Sequence, residues 1–196
     1  MPLSLIKTHA QQLLCLARDA ISYGLKTGNK LQINLHDYPV EFAQPRATFV
    51  TLHCHQELRG CIGRLQATRP LALDVVENAY AAAFCDRRFP PLEEHEFNDL
   101  DLHISLLSSP EKIDFVSEQD LINQLRPHID GLILELGSRQ ATFLPSVWES
   151  LANGQEFLQH LKLKAGLDMD FWSDNICAYR YSVESIPNSG EEHGTE

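Results

Sequence analysis

Two glycines stand three residues apart inside a segment that otherwise reads as a β-strand, Leu58-Arg59-Gly60-Cys61-Ile62-Gly63. A glycine inside a strand packs nothing and weakens it, so it marks a bulge or a close approach of another backbone. Any fold built on this chain must therefore accommodate either an irregular strand or a close neighbour at that place. The flanking sequence supplies the candidates. Ala47 to Leu52 is rich in β-branched and aromatic residues and reads as a strand, the polar run His53 to Glu57 makes a turn, and Leu58 to Leu65 returns as the second strand of a hairpin. Pro70 opens a helix at its first turn, where a missing N–H costs nothing. Leu71, Val75, Ala79 and Ala82 form its apolar stripe, widened by Val76, Tyr80 and Ala83, and it ends near residues 84–86.

The rest of the chain reads in the same way. Ser4 is placed as the N-cap of an amphipathic helix carrying Ile6, Ala10, Leu13, Leu14, Ala17, Ala20 and Ile21, stopped by Gly24 or Gly28. Residues 29–46 are irregular, with a short edge strand expected at Leu31, Ile33 and Leu35. Leu100, Leu102, Ile104 and Leu106 alternate with Asp101, His103 and Ser105, the pattern of a half-buried strand. Ser117 and Asp120 form a capping pair before a short helix to Leu125, and Ser146 with Glu149 reads as a capping box. Leu132, Leu134 and Leu136 make a strand that turns at 137–139 into Ala141 to Leu144. Glu156 to Ala165 is a helix with Gly166 at its C′ position. Ile176 to Val183 is the last strand, and the polar, acidic end over 187–196 is expected to be a disordered tail. A hairpin precedes a helix twice, a loose internal repeat. Strands and helices do not alternate regularly, so the class is α+β, a mostly antiparallel sheet flanked by helices in one domain over 1–186.

Composition narrows the function. The 196 residues carry a net charge of −11, which argues against broad nucleic-acid binding, since that needs a basic field to release phosphate counterions. Arg59, Arg64 and Arg69, and Arg87 with Arg88, are either local basic patches or scattered surface charges. No run of about 18 apolar residues is present, and the N-terminus has no signal-peptide pattern. Five dispersed cysteines, at 15, 54, 61, 85 and 177, fit reduced thiols in a cytoplasmic setting. The phosphate-loop, dinucleotide, serine-hydrolase and iron–sulfur signatures are all missing, so no cofactor is expected.

The chemistry, if any, centres on Cys61. A cation nearby favours thiolate over thiol, and Arg59 is two residues away. The alternative is a small buried hydrophobe, the commonest state of a free cysteine. Asp74 and Asn78 share a helical face and are placed to orient Arg59 or a bound group. Asp86 pairs locally with an arginine, Arg88 among them, and Phe89-Pro90-Pro91 forms a stiff segment packed beneath the site. Lys164 sits where a cation suits the helix dipole, which is account enough for it. His53 and His55 lie on one strand face, but two histidines fall short of a zinc ligand set, so no metal is assigned.

The hexapeptide 58–63 resembles the hallmark of the AMMECR domain family, and the likeness runs from about Leu13 to Ile186. Leu13, Leu14, Ala17, Arg18, Ala20 and Ile21 resemble that family's first helix, and Pro70, Leu71, Asp74, Val75, Asn78 and Ala79 the helix after its hairpin. Ala82-Ala83-Phe84, Asp86, Arg88 and Phe89-Pro90-Pro91-Leu92 resemble its second signature. Ala141 to Pro145, Phe157-Leu158, Lys164 to Leu167 and Trp172 match its C-terminal half. Arg87 stands where the family often has proline, and His53-Cys54-His55 where it has a variable polar turn. The resemblance implies an α+β fold with two related strand–helix repeats about a curved sheet. It also implies membership of the AmmeMemoRadiSam system, with a Memo-like protein and a radical S-adenosylmethionine protein as partners. Two functions follow as expectations. One is an accessory or binding protein whose groove is formed by Arg59, Gly60, Cys61, Gly63, Asp74, Asn78, Asp86 and Arg88. The other is an enzyme with Cys61 as nucleophile or group carrier, assisted by Arg59.

Overall fold

Alternation decides which way the central strands face. In the computed structural model, which describes residues 4–187, Val50 and Leu52 of β1 (Thr48–Cys54) and Leu100, Leu102, Ile104 and Leu106 of β3 (Leu100–Leu107) are buried in one core. Thr51, His53, Asp101, His103 and Ser105, between them, occupy the opposite face. β1 pairs antiparallel with both β2 (Glu57–Gly63) and β3. The sheet order is β2-β1-β3-β8, with β8 at Val183–Ile186, so β2 is an edge strand. Against the buried face pack α1 (Ser4–Thr27), through Leu13, Ala17, Ala20 and Ile21, and α2 (Leu71–Phe84), through Leu71, Val75, Ala79 and Ala82.

The chain divides into two compact units. The first runs to Leu107 and resumes at Glu184; the second is Ser108–Val183. The second holds another four-stranded sheet, ordered β4-β7-β5-β6. Its strands are β4 (Glu111–Ile113), β5 (Gly131–Leu136), β6 (Arg139–Phe143) and β7 (Cys177–Tyr181), with antiparallel pairing at β4–β7, β5–β6 and β5–β7. Its helices are α3 (Glu118–Gln124), capped by Ser117 on the Asp120 amide, and α4 (Gly154–Lys164), capped by Asn153 on the Glu156 amide. Leu121, Leu132, Leu134, Trp148, Phe157, Leu158 and Leu161 fill a separate core. Lys162 is fully buried there and its Nζ donates to Glu118 at 2.6 Å and to the Phe171 carbonyl at 3.1 Å. Lys164 Nζ donates to the Thr142 carbonyl at 3.0 Å. The α+β class is as expected, with the strands shared between two open antiparallel sheets.

Several local expectations are corrected. Ser4 lies inside α1 instead of capping it. Residues 31–35 form no strand: two short 3-10 turns, Leu35–Asp37 and Val40–Ala43, follow, and Leu31, Ile33 and Leu35 pack against the core. The Asn34 side chain accepts from the His36 amide, a local bond that turns the chain where a ladder would extend it. Pro70 sits one residue earlier than expected, at the N-cap of α2. Ser146 and Glu149 make no capping box; Pro145–Ser150 is a 3-10 turn, pinned by Trp148, whose indole donates to the Asp130 carbonyl at 2.8 Å and stacks on Phe157. The last strand breaks at Ser182, so β7 and β8 serve different sheets. The acidic tail over 187–196 lies outside the described residues beyond Pro187.

The first hairpin turns in two residues, His55 and Gln56, both in the left-handed region at φ 52° and 69°. Such a turn matches the twist of the flanking strands but suits Asn-Gly far better than these side chains. Replacing His55-Gln56 by Asn-Gly is expected to stabilise the protein by about 1–2 kcal/mol, read as a higher denaturant midpoint at unchanged slope.

Candidate functional site

Gly60 is where α2 meets the edge strand. A Cβ at this position would overlap the carbonyl oxygen of Ala82, and one at Gly63 would overlap the ring of Phe49 and the Thr48 carbonyl. The two glycines therefore mark close approaches, of a helix backbone to the strand and of a cross-strand ring to its partner, since Gly63 lies opposite Phe49. Gly60→Ala is expected to destabilise by about 1–3 kcal/mol, the usual cost of overpacking, seen as a lowered melting temperature.

Between these positions the ladder slips. Leu58 faces His53 and Gly60 faces Leu52, so Arg59 has no opposite residue in β1. A bulge of this kind re-aims the extra side chain. The Arg59 guanidinium turns to Glu96, donating at 2.6 and 2.9 Å, and to the carbonyls of Pro90 and Pro91 at 3.0 and 3.4 Å. Glu96 is held below the ordinary carboxylate range by this hydrogen bond above all, and Arg59 is pushed up by the same contact. Glu96 in turn accepts from the Glu93 amide and closes the capping box of the 94–99 turn. Arg59 is thus a fastener for the proline segment.

Cys61 follows the bulge. Its N–H donates to Asp86 Oδ2 at 2.9 Å and its carbonyl accepts from Arg88 at 3.1 Å. Asp86 and Arg88 also bind one another, at 2.7 and 3.0 Å. The Arg88 hydrogen bond comes first among the influences that hold the Asp86 carboxyl far below its usual range, with the Cys61 and Arg88 amides adding to it against the cost of burial. The pair serves both peptide groups of Cys61 on the outer edge of β2, as a neighbouring strand would. The sulfur is half-buried, and Thr51 Oγ1 donates to it at 3.3 Å.

Asp74 and Asn78 lie elsewhere. They are buried on α2 and bind Thr48, not Arg59. Asp74 Oδ2 accepts from the Thr48 amide at 2.9 Å and from its hydroxyl at 2.7 Å. Asn78 Nδ2 donates to the Thr48 carbonyl at 3.1 Å and hydroxyl at 2.9 Å, and to Asp74 at 2.9 Å. Burial pushes the Asp74 carboxyl up, opposed by the Thr48 bonds and by Arg64 and Arg69. The structure therefore brings Arg59, Gly60, Cys61, Asp86 and Arg88 together, and sets Asp74 and Asn78 at the other end of the helix. Sequence reasoning missed Glu96, Thr48 and Thr51. None of the three had a signal: even with the turn known, pairing without the bulge would set Thr51 opposite Gly60. His53 is brought beside His103 and Asp101, while His55 sits exposed at the turn, 4.0 Å from Asp99. A cleft of ≈ 450 Å³ lies apart from the motif, lined by Asp19, Tyr23, Lys26 and Tyr38 among others.

The AMMECR1 family model matches residues 14–186. The chain belongs to the AMMECR1 family. A protein of Methanothermobacter thermautotrophicus is 35% identical over 195 residues, covering 96% of this chain and 98% of its own. One from Thermotoga maritima is 41% identical over 149 residues, covering 74% and 80%. A solved structure, the uncharacterized protein PH0010 from Pyrococcus horikoshii, superposes with a TM-score of 0.78 at 33% identity, over 90% of this chain and 89% of that one. The AMMECR1 fold is thus shared along nearly the full length. Among the described residues no helix is long and apolar enough to cross a membrane.

Asp86→Asn keeps the shape of the side chain and removes the charge that Arg88 answers. A carboxyl depressed in the folded state stabilises above its unfolded pKa and loses that contribution as pH falls through the folded value. The wild type is therefore expected to be more stable than Asp86→Asn at pH 7, with the margin shrinking below the ordinary aspartate value of about 3.9; urea unfolding at pH 7 and pH 3 measures it.

Proposed function

We propose that this AMMECR1-family chain is a binding component, with the edge strand 59–63 and the 86–92 loop as its recognition element, and that it engages a Memo-like protein and a radical S-adenosylmethionine protein. One observation carries this reading: Arg59, Asp86 and Arg88 all spend their charges on groups of this same chain, on Glu96, on one another and on backbone groups. A site built for thiolate chemistry would direct a cation at the sulfur. Here Arg88 lies near enough to the Cys61 sulfur to interact with it, but its bonds to Asp86 and to the Cys61 carbonyl fix the loop, which gives a preorganised surface of low ordering cost to a partner. The exposed side chain of Arg87 and the prolines at 90 and 91 lie on that loop.

A second reading keeps Cys61 as nucleophile or group carrier. It is favoured by the half-buried sulfur and the Thr51 hydroxyl beside it, with His103 opposite Thr51 on the next strand as the nearest base in register.

Two measurements separate them. Purified partners are titrated against the full chain by calorimetry. Binding is expected, weakened at least tenfold by Arg87→Glu and unchanged by Cys61→Ser; no binding by either partner rejects the first reading. Limiting thiol reagent at pH 7 with mass-spectrometric mapping is expected to modify the exposed Cys15 and Cys85 before Cys61. Cys61 reacting first would favour the enzyme.

A further inference from the structure

The face of the sheet turned away from α2 carries a second cluster. His53 lies directly opposite Asp101 in the β1–β3 ladder, and His103 is two residues along β3, hence on the same face. A ligand atom from each of the three lies within 4.8 Å of the others. His103 Nε2 is 2.8 Å from Asp101 Oδ2, and the rings of His53 and His103 stand 5.4 Å apart at 85°. The bulge between Leu52 and His53 sits at the same place.

We infer that His53, Asp101 and His103 form a binding site for a divalent first-row transition metal of the Zn²⁺ type, independent of the partner-binding reading above. The donor set selects the class. Two imidazole nitrogens and one carboxylate suit Zn²⁺, Co²⁺ or Ni²⁺, whereas Mg²⁺ and Ca²⁺ take oxygen ligands. The spacing is close to what an ion needs. Donors at about 2.0–2.2 Å around a tetrahedral Zn²⁺ stand roughly 3.3 Å from one another, so the Asp101–His103 pair is nearly in place and His53 closes the set by a small side-chain rotation. The scaffold is rigid, because all three donors project from two paired strands. Three protein ligands leave the fourth tetrahedral position to water or an added ligand, the arrangement of an open site and not of a closed structural one. A plain surface ion pair would account for His103 and Asp101 but gives His53 no reason to stand beside them.

The test uses the full-length, metal-free protein with a non-thiol reductant. Zn²⁺ titration by calorimetry is expected to give one equivalent, and Co²⁺ to produce the visible bands of a tetrahedral site that Zn²⁺ abolishes. His53→Ala and His103→Ala should each weaken binding at least tenfold, with unchanged circular dichroism, and His55→Ala should not. In the wild type, Zn²⁺ should shift the imidazole NMR signals of His53 and His103 and spare those of the other histidines. Wild-type protein that binds neither metal, binding that survives loss of both His53 and His103, or binding lost with His55 alone overturns the inference.

Discussion

A side-chain carboxylate takes the place of a neighbouring strand at the edge of the first sheet. Asp86 accepts the Cys61 amide at 2.9 Å while Arg88 covers the Cys61 carbonyl, and much of the local architecture has to be as it is for that to happen. Helix α2 must stop at Phe84, the chain must double back so that the Leu92 amide reaches the Ala83 carbonyl at 2.8 Å, and the helix must lie close enough to β2 that only glycine fits at position 60. Arg59 then fastens the returning segment through Pro90, Pro91 and Glu96. Buried polar groups are costly unless matched, so each of these bonds constrains the others.

The other end of α2 is held by a different device. Asp74 and Asn78 surround Thr48 at the start of β1, taking its amide, hydroxyl and carbonyl at once. The helix is therefore tied to the hairpin at both ends, to β1 by a buried hydrogen-bonded cluster whose Asp74 also pairs with Arg64 and to β2 by an ion pair near the surface. Between the ties, Val75, Ala79 and Ala82 supply apolar contact. Ties at both ends hold the helix in place against the hairpin.

How far this was legible in the sequence depended on the range of the interactions. Alternation in 100–106 and the helical stripe over 71–82 are local signals, and both elements appear where the residues place them. The glycines at 60 and 63 announced a bulge or a close approach, without deciding between them or naming what approaches. Asp74 and Asn78 were recognisable as a polar pair on an apolar helix, but their partner, Thr48, is 26 residues from Asp74 and carries no mark of its role. Glu96 was invisible as the partner of Arg59 because 37 residues, with all of α2 among them, separate the two. The pair His103 and Asp101 was visible only as the polar half of an alternation; its meeting with His53 follows from strand register, which one sequence does not state. Ser146 and Glu149 had the spacing of a capping box, yet Pro145 and the anchoring of Trp148 set a tighter turn.

The bulge at Arg59 also sets the phase of the strand. With a two-residue turn at 55–56 and unbroken pairing, residue 61 would stand opposite Val50 and point into the core, and residue 60 would stand opposite Thr51 on the outer face. One unmatched residue inverts this: Gly60 falls under α2, and Cys61 comes out beside Thr51. Arg59 thus acts as a frame-shift in three dimensions, and the identity of its side chain is a separate matter from its mere presence. Pairing the residue into the ladder would turn the motif inside out, whereas changing its side chain would only loosen the loop it holds.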